Sequence, residues 1–267
     1  MPSLTKRLGD SASLLAPLFF AFLVWEAMSR LKLINPILLP PPSKALMCMY
    51  RLLIARTPDG HSILLMHIYH SFYRLLYGFF AAAVIGVALG LAMGMNKYVY
   101  GYFNPIISVM VPVPGITWAP ILILWLGFGD PTIIAVAFIA AFFPIVYNTA
   151  AGARSISKEL IWAAQTMGAN RRTIFFRVLL PWSAAYILTG LKLGLARSWR
   201  TLIAVEMIAA TLWGLGYMIF DAREFLLTDV IYGGIILLAV IFFMIENVVI
   251  RAIEEKTIEK WGMKIEI

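Results

Sequence analysis

The chain has 267 residues, 61% of them hydrophobic and 13% charged, with a formal net charge of +8. Soluble domains carry about 25% charged residues, so this composition excludes a water-soluble globule and requires surface that faces lipid. The basic residues fall between apolar runs, which membrane topology explains better than nucleic acid does; the single cysteine, Cys48, excludes an intrachain disulfide framework and a multi-cysteine metal site.

About 20 mostly apolar residues cross a bilayer core. Six segments qualify: roughly 14–29, 72–95, 105–126, 131–151, 184–210 and 230–250. Lys6 and Arg7 precede the first. No small-residue cleavage site follows it, where Trp25, Glu26 and Met28 stand, so it reads as a retained span. Glu26 lies near its outer end, within reach of water. The connection after it contains Leu38–Pro42 (LLPPP), an extended stop. Ser43 can cap a short helix to about Ala55, with Leu46, Met49, Tyr50 and Leu53 at helical spacing, suited to the outer interface.

His61, His67 and His70 follow, with His67 and His70 on one helical face. Three imidazoles could hold zinc, but only Asp59 joins them, interfacial histidines are commoner, and with Tyr69, Tyr73 and Tyr77 they suit a membrane interface. The second span is rich in glycine (Gly78, Gly86, Gly90, Gly94). The third is interrupted by Pro105, Pro112, Pro114 and Pro120. Each interior proline removes a backbone hydrogen bond, and irregular backbone at membrane depth survives only inside protein or beside a water-filled cavity. This span reads either as the lining of a translocation path or as a kinked packing helix.

The 4–5 loop, roughly Arg154 to Pro181, carries Arg154, Lys158, Arg171, Arg172 and Arg177 against Glu159 alone. The 3–4 turn has only Asp130, and the 5–6 loop has Asp221, Glu224 and Asp229 against Arg223. With Arg251, Lys256, Lys260 and Lys264 after the last span, the positive-inside rule places both termini and the 4–5 loop in the cytoplasm. The 1–2 connection dissents with Arg30, Lys32, Lys44, Arg51 and Arg56, although parity puts it outside. Within the 4–5 loop, Ser157 can cap a helix to about Met167, Gly168 offers a turn, a second segment begins at Arg171, and Pro181 opens the next span. Ala163, Ala164 and Met167 give the first helix a small apolar patch that a partner surface can approach closely.

In the fifth span, Arg197 and Arg200 lie roughly 24 and 28 Å along the helix from Pro181, with Glu206 about two turns beyond Arg200. A charge at this depth points to function. One reading is a cationic lining for an anion, since a guanidinium meets sulfonate or carboxylate oxygens bidentately. The other is an Arg–Glu pair within or between subunits, or snorkelling. Paired acidic or histidine groups for an integral membrane enzyme are missing. An ion-channel subunit has only the Pro112–Gly115 break to offer as a filter.

Ala163–Ala164, Gly168, Val178 and Leu180–Pro181 fit the spacing A-A-x3-G-x9-[IV]-x-L-P, which resembles the coupling loop of permease subunits in ABC importers. Trp162 stands where that family usually has glutamate, Glu159 lies one turn earlier, and Ala185 stands where many relatives have proline. Pro112–Asp130, Leu38–Leu46 and Trp199–Glu206 are similar to signatures of the nitrate, sulfonate and taurine branch, and Glu224–Val230 leans toward taurine permeases. The resemblance implies an all-α type I importer permease: a homodimer of six-span subunits in a bacterial or archaeal cytoplasmic membrane. It implies two ATPase subunits, which hold ATP and Mg, and a periplasmic or lipid-anchored substrate-binding protein. This chain itself is then a translocation subunit without catalytic residues, metal or cofactor, surrounded by lipid and binding no nucleic acid. The coupling residues would be Glu159, Trp162, Ala163, Ala164, Met167, Gly168, Arg171, Arg172 and Pro181. The path residues would be Pro112, Pro114, Trp118, Arg197, Arg200 and Glu206.

Overall fold

The computed structural model describes residue 17 and residues 19–246. Most of 14–18, residues 247–250, and the basic residues Lys6, Arg7, Arg251, Lys256, Lys260 and Lys264 lie outside the described residues. Regular structure in the described part is helical, apart from one isolated bridge between Arg56 and Ser62. The described residues divide into two compact units, those up to 67 with 218–239, and 68–217 with 240–246.

In the first unit, α1 (residues 19–30) runs into a turn held by Asn35, whose side chain accepts from the Ile37 amide. The proline stretch that follows cannot donate, so its carbonyls need donors from elsewhere. Trp25 donates to the Pro40 carbonyl at 3.0 Å and Ser29 to the Leu39 carbonyl at 2.7 Å. Helix α2 (Pro42–Ile54) begins one residue before Ser43, with proline in its first turn. Ser43 therefore does not cap it. Glu26 accepts from the Ser43 amide (3.0 Å) and hydroxyl (2.7 Å), supplying the acceptor from α1. Pro42, Ala45 and Met49 form the buried face of α2, while Leu46, Met47, Tyr50, Leu53 and Ile54 are exposed. After α10 (Leu215–Glu224), helix α11 (Thr228–Met244) meets that buried face at Gly233, where an added Cβ would lie 2.8 Å from the Ala45 carbonyl oxygen.

In the second unit, helix α3 (Ile63–Met95, counted from residue 68), α6 (Asp130–Arg154) and α9 (Leu180–Ala209) carry the core. Small residues set their spacing. Gly78, Gly86, Gly90 and Gly94 line the face of α3 against α6, and Gly190 and Gly194 do the same on α9. Ala137, Ala141, Ile145 and Val146 of α6 are fully buried. Helix α3 starts nine residues before the predicted second span at 72, because polar Ser71 and Arg74 find partners inside the unit instead of ending the helix.

The predicted third span, 105–126, is not one helix. Helix α4 (Lys97–Met110) ends before Pro112, a short 3-10 turn spans Gly115–Trp118, and α5 (Ala119–Leu126) leaves at 98° to α4. Pro112 and Pro114 explain the break, since neither can donate to the helix ladder. Pro105 is tolerated inside α4, and Pro120 stands in the first turn of α5, where a missing amide costs nothing. Helices α3, α6 and the run Arg171–Ala209 are each long and apolar enough to cross a membrane, and the bent α4–α5 pair passes the same test together.

Candidate functional site

The α4–α5 break, α6 and α9 line an open cavity of about 410 Å³. This falls within the range of small-molecule sites. Pro112, Pro114 and Gly115 form one wall, Ala140 and Pro144 of α6 another, and Arg197, Arg200 and Thr201 of α9 the third. Gly115 is required by contact: a Cβ there would lie 2.9 Å from both Ala140 Cβ and Thr201 Cγ2. Arg197 Nη1 donates to the Val111 carbonyl at 2.9 Å, an oxygen released by the break. Arg200 Nε donates back to Ala196 of its own helix at 3.1 Å. Both arginines are exposed to the cavity side, and neither has a carboxylate within ion-pair distance among the described residues.

The structure therefore brings Pro112, Pro114, Arg197 and Arg200 together, but not Trp118 or Glu206. Trp118 closes the 3-10 turn and does not line the cavity. Glu206 is fully buried elsewhere, where its carboxylate takes Arg74 Nη1 at 2.7 Å, the Ser71 hydroxyl at 2.9 and 2.8 Å, and the Gly216 amide at 3.0 Å. Arg74 also forks onto Asp130 Oδ1, at 2.8 Å from Nε and 2.7 Å from Nη2. Arg74 is absent from the sequence-level candidates. The available signal was an arginine inside an apolar run, three residues after a serine on the same helical face. The three histidines form no metal site, and no group of three metal-ligating side chains occurs among the described residues.

At the opposite end of α6, the 4–5 loop folds as α7 (Lys158–Thr166), a turn, and α8 (Arg171–Ile174), which continues through one π turn (Phe175–Leu179) into α9. The Ser157 hydroxyl accepts from the Leu160 amide and caps α7. The chain then reverses at Gly168, with φ +80°. The Gly168 amide donates to Gln165 (2.9 Å) and the Ala169 amide to Ala164 (3.0 Å), the paired bonds that end a helix with glycine. Asn170 restarts the chain by accepting from the Thr173 amide at 2.9 Å. Pro181 stands in the first turn of α9. The outward surface combines exposed Trp162 (59%), Ala163 and Met167 (87%) with Arg171 and Arg172. Glu159 is fully exposed, and its own backbone amide, then the Ser157 hydroxyl, hold its carboxyl below the ordinary value.

Residues 82–255 match the family model described as binding-protein-dependent transport system inner membrane component. The chain belongs to this family. It is 40% identical over 225 residues to the taurine transport system permease protein TauC of Escherichia coli (strain K12), covering 84% of this chain and 80% of the relative. It is 30% identical over 256 residues to the putative aliphatic sulfonates transport permease protein SsuC of Bacillus subtilis (strain 168), covering 96% and 89%. The nitrate import permease protein NrtB of Synechocystis sp. (strain ATCC 27184 / PCC 6803 / Kazusa) is 33% identical over 182 residues, covering 68% and 66%. The chain is thus an ABC-importer permease of the nitrate, sulfonate and taurine branch, a translocation component of an inner-membrane transport system.

Proposed function

We propose that this permease moves a small anion inward by alternating access, with taurine or an alkanesulfonate foremost and nitrate, bicarbonate or an aromatic carboxylate next. One observation carries the reading: the cavity at the helix break is lined by Arg197 and Arg200, with no carboxylate paired to either among the described residues. A guanidinium fork matches the planar or tetrahedral oxygens of such anions. The likeness to TauC and SsuC supports the order of substrates.

Six spans fit best, formed by α1, α3, the α4–α5 pair, α6, α9 and α11. In the first unit, the Thr228 hydroxyl donates to the Ile37 carbonyl at 2.6 Å, so the 1–2 and 5–6 connections meet at one end, as six-span parity requires. The positive-inside rule then makes that end external and the termini and α7 cytoplasmic. In this reading the permease works as a homodimer with two ATPase subunits, which bind ATP and Mg, and a periplasmic or lipid-anchored binding protein. It resides in a bacterial or archaeal cytoplasmic membrane. Helix α7 docks in each ATPase and transmits its closure as a rigid-body movement. Trp162 and Met167 make that contact apolar where relatives use a glutamate.

The test is ATP-dependent uptake in proteoliposomes containing the permease with its ATPase and binding protein, scanning the anions above. Stimulation of ATP hydrolysis by one loaded binding protein identifies the substrate. Arg197→Gln and Arg200→Gln are expected to slow uptake at least tenfold, the effect of about 1.4 kcal/mol per lost contact, without lowering the yield of the complex. Wild-type uptake in both variants would remove the cavity from the path.

A further inference from the structure

One guanidinium joins three elements of the second unit. Arg74 on α3 reaches Glu206 in the last turn of α9, the Trp213 carbonyl at 2.7 Å in the following turn, and Asp130 at the first residue of α6. The two carboxylates of this node are held differently. Glu206 has no exposure, and the backbone is shaped around it: a Cβ on Gly214, at φ +146°, would lie 2.7 Å from its carboxyl carbon. The Asp130 side chain is 43% exposed. Separating Arg74 from Glu206 would strand a carboxylate away from water, whereas Asp130 is rehydrated as it leaves.

The chain next to Asp130 turns sharply, with the Gly129 amide donating to the Ala209 carbonyl at 2.8 Å and the Thr132 hydroxyl to the Gly127 carbonyl at 2.5 Å. Gly127 (φ +79°) and Gly129 (φ +110°) flank Phe128, and nothing lies within 4 Å of where either Cβ would stand. This turn leads back through the eight residues of α5 to the 3-10 turn and the Pro112–Gly115 wall of the cavity. A shift at Asp130 therefore reaches the cavity through one short helix.

We propose that Arg74 is a positioning residue of the transport cycle. Its contact with Glu206 keeps α3 and α9 as one body throughout. Its contact with Asp130 is the separable ion pair, which together with the Gly129–Ala209 backbone bond holds α5 and the cavity wall until the Asp130 end opens. This inference rests on the transport reading above.

Asp130→Asn tests it, because the buried Glu206 half of the node stays intact. In proteoliposomes holding the complete complex, ATP hydrolysis without binding protein is expected to rise about fivefold or more, and stimulation by the loaded binding protein to shrink to match. Asp130→Glu is expected to restore the wild-type ratio. A merely structural role would lower the yield and leave the ratio unchanged. A second measurement needs no turnover. Nitroxide labels at exposed Phe128 and Leu212, after Cys48→Ser removes the single native cysteine, report the distance across the node in the permease with no ATP present. Asp130→Asn should broaden that distribution, and Asp130→Glu should leave it narrow. An unchanged distribution together with an unchanged stimulation ratio at wild-type yield overturns the proposal. A wild-type complex with no ATP-dependent uptake would instead defeat the transport reading, while the label distances would still decide whether Arg74 holds the turn.

Discussion

The glycine face of α3 gives the most direct quantitative test of how this permease packs. A Cβ at Gly94 would lie 2.1 Å from Ala153 Cβ and 3.3 Å from Ala153 Cα. Carbon atoms at optimal contact stand about 3.5–4.0 Å apart, so Gly94→Ala forces α3 and α6 to part locally by roughly 1.5 Å. The neighbouring atoms are a methyl group on a helix and its backbone, with no flexible end to swing aside. Overpacking of this kind costs about 1–3 kcal/mol, occasionally more, and so short a contact belongs at the upper end. Better helix propensity of alanine returns at most about 1 kcal/mol. The expected net loss is about 2 kcal/mol, enough to lower the thermal midpoint of a domain of this size by several degrees. Gly101→Ala is the matched control, since nothing lies within 4 Å of its Cβ position and only the propensity gain applies. Ala153→Gly in the Gly94→Ala background should recover most of the loss. The assay is the folded fraction of detergent-purified permease by size-exclusion chromatography after heating. If Gly94→Ala survives heating as well as Gly101→Ala does, the helices are not held at the distance described and the reasoning fails.

Three further outcomes follow from the same contacts. Arg74→Met alone is expected to cost about 3–5 kcal/mol, because it leaves the buried Glu206 carboxylate without its cation, and Glu206→Gln less, because Arg74 keeps Asp130; the double variant Arg74→Met/Glu206→Met should recover part of the first loss in thermal unfolding. Gly168→Val places a β-branched residue at φ +80°, a cost of about 1–2 kcal/mol; co-purification of the ATPase should fall while the spans keep their thermal midpoint. Glu159 has its carboxyl held below the ordinary 4.5, so its contribution to α7 is complete above that value and fades as pH falls through the depressed one. ATPase binding should therefore be flat through neutral pH and differ between wild type and Glu159→Gln only on the acid side.

The 4–5 loop was legible because its information is local. Ser157, Gly168 and Pro181 each fix a cap, a turn or a helix start within a few residues, and α7 ends at Thr166, one residue short of the predicted end. The prolines likewise marked the α4–α5 break, although not its 98° angle, which depends on packing against α6 and α9. Glu206 was misplaced for a geometric reason. Six residues separate it from Arg200, and at about 100° per residue the two point to different sides of α9. Its partner Arg74 lies 132 positions away in sequence. No periodicity links such positions, and only the presence of a charge in each of two apolar runs hinted that they meet.

The buried and the cavity-facing charges on α9 now separate by what surrounds them. Glu206 is saturated by a guanidinium, a hydroxyl and an amide, so no acceptor capacity faces a mobile ligand, and its chemistry is spent on fixing the helix. Arg197 uses Nη1 on a carbonyl that Pro112 and Pro114 set free, which couples the broken helix to the arginine that lines it. The break therefore does two things at once. It opens a polar cavity in an apolar span, and it provides the oxygen that orients one of the cations inside it. Replacing Pro112 and Pro114 with alanine would let α4 extend and withdraw that oxygen. The loss of transport in such a variant would thus come from the direction of Arg197 as much as from the volume of the cavity.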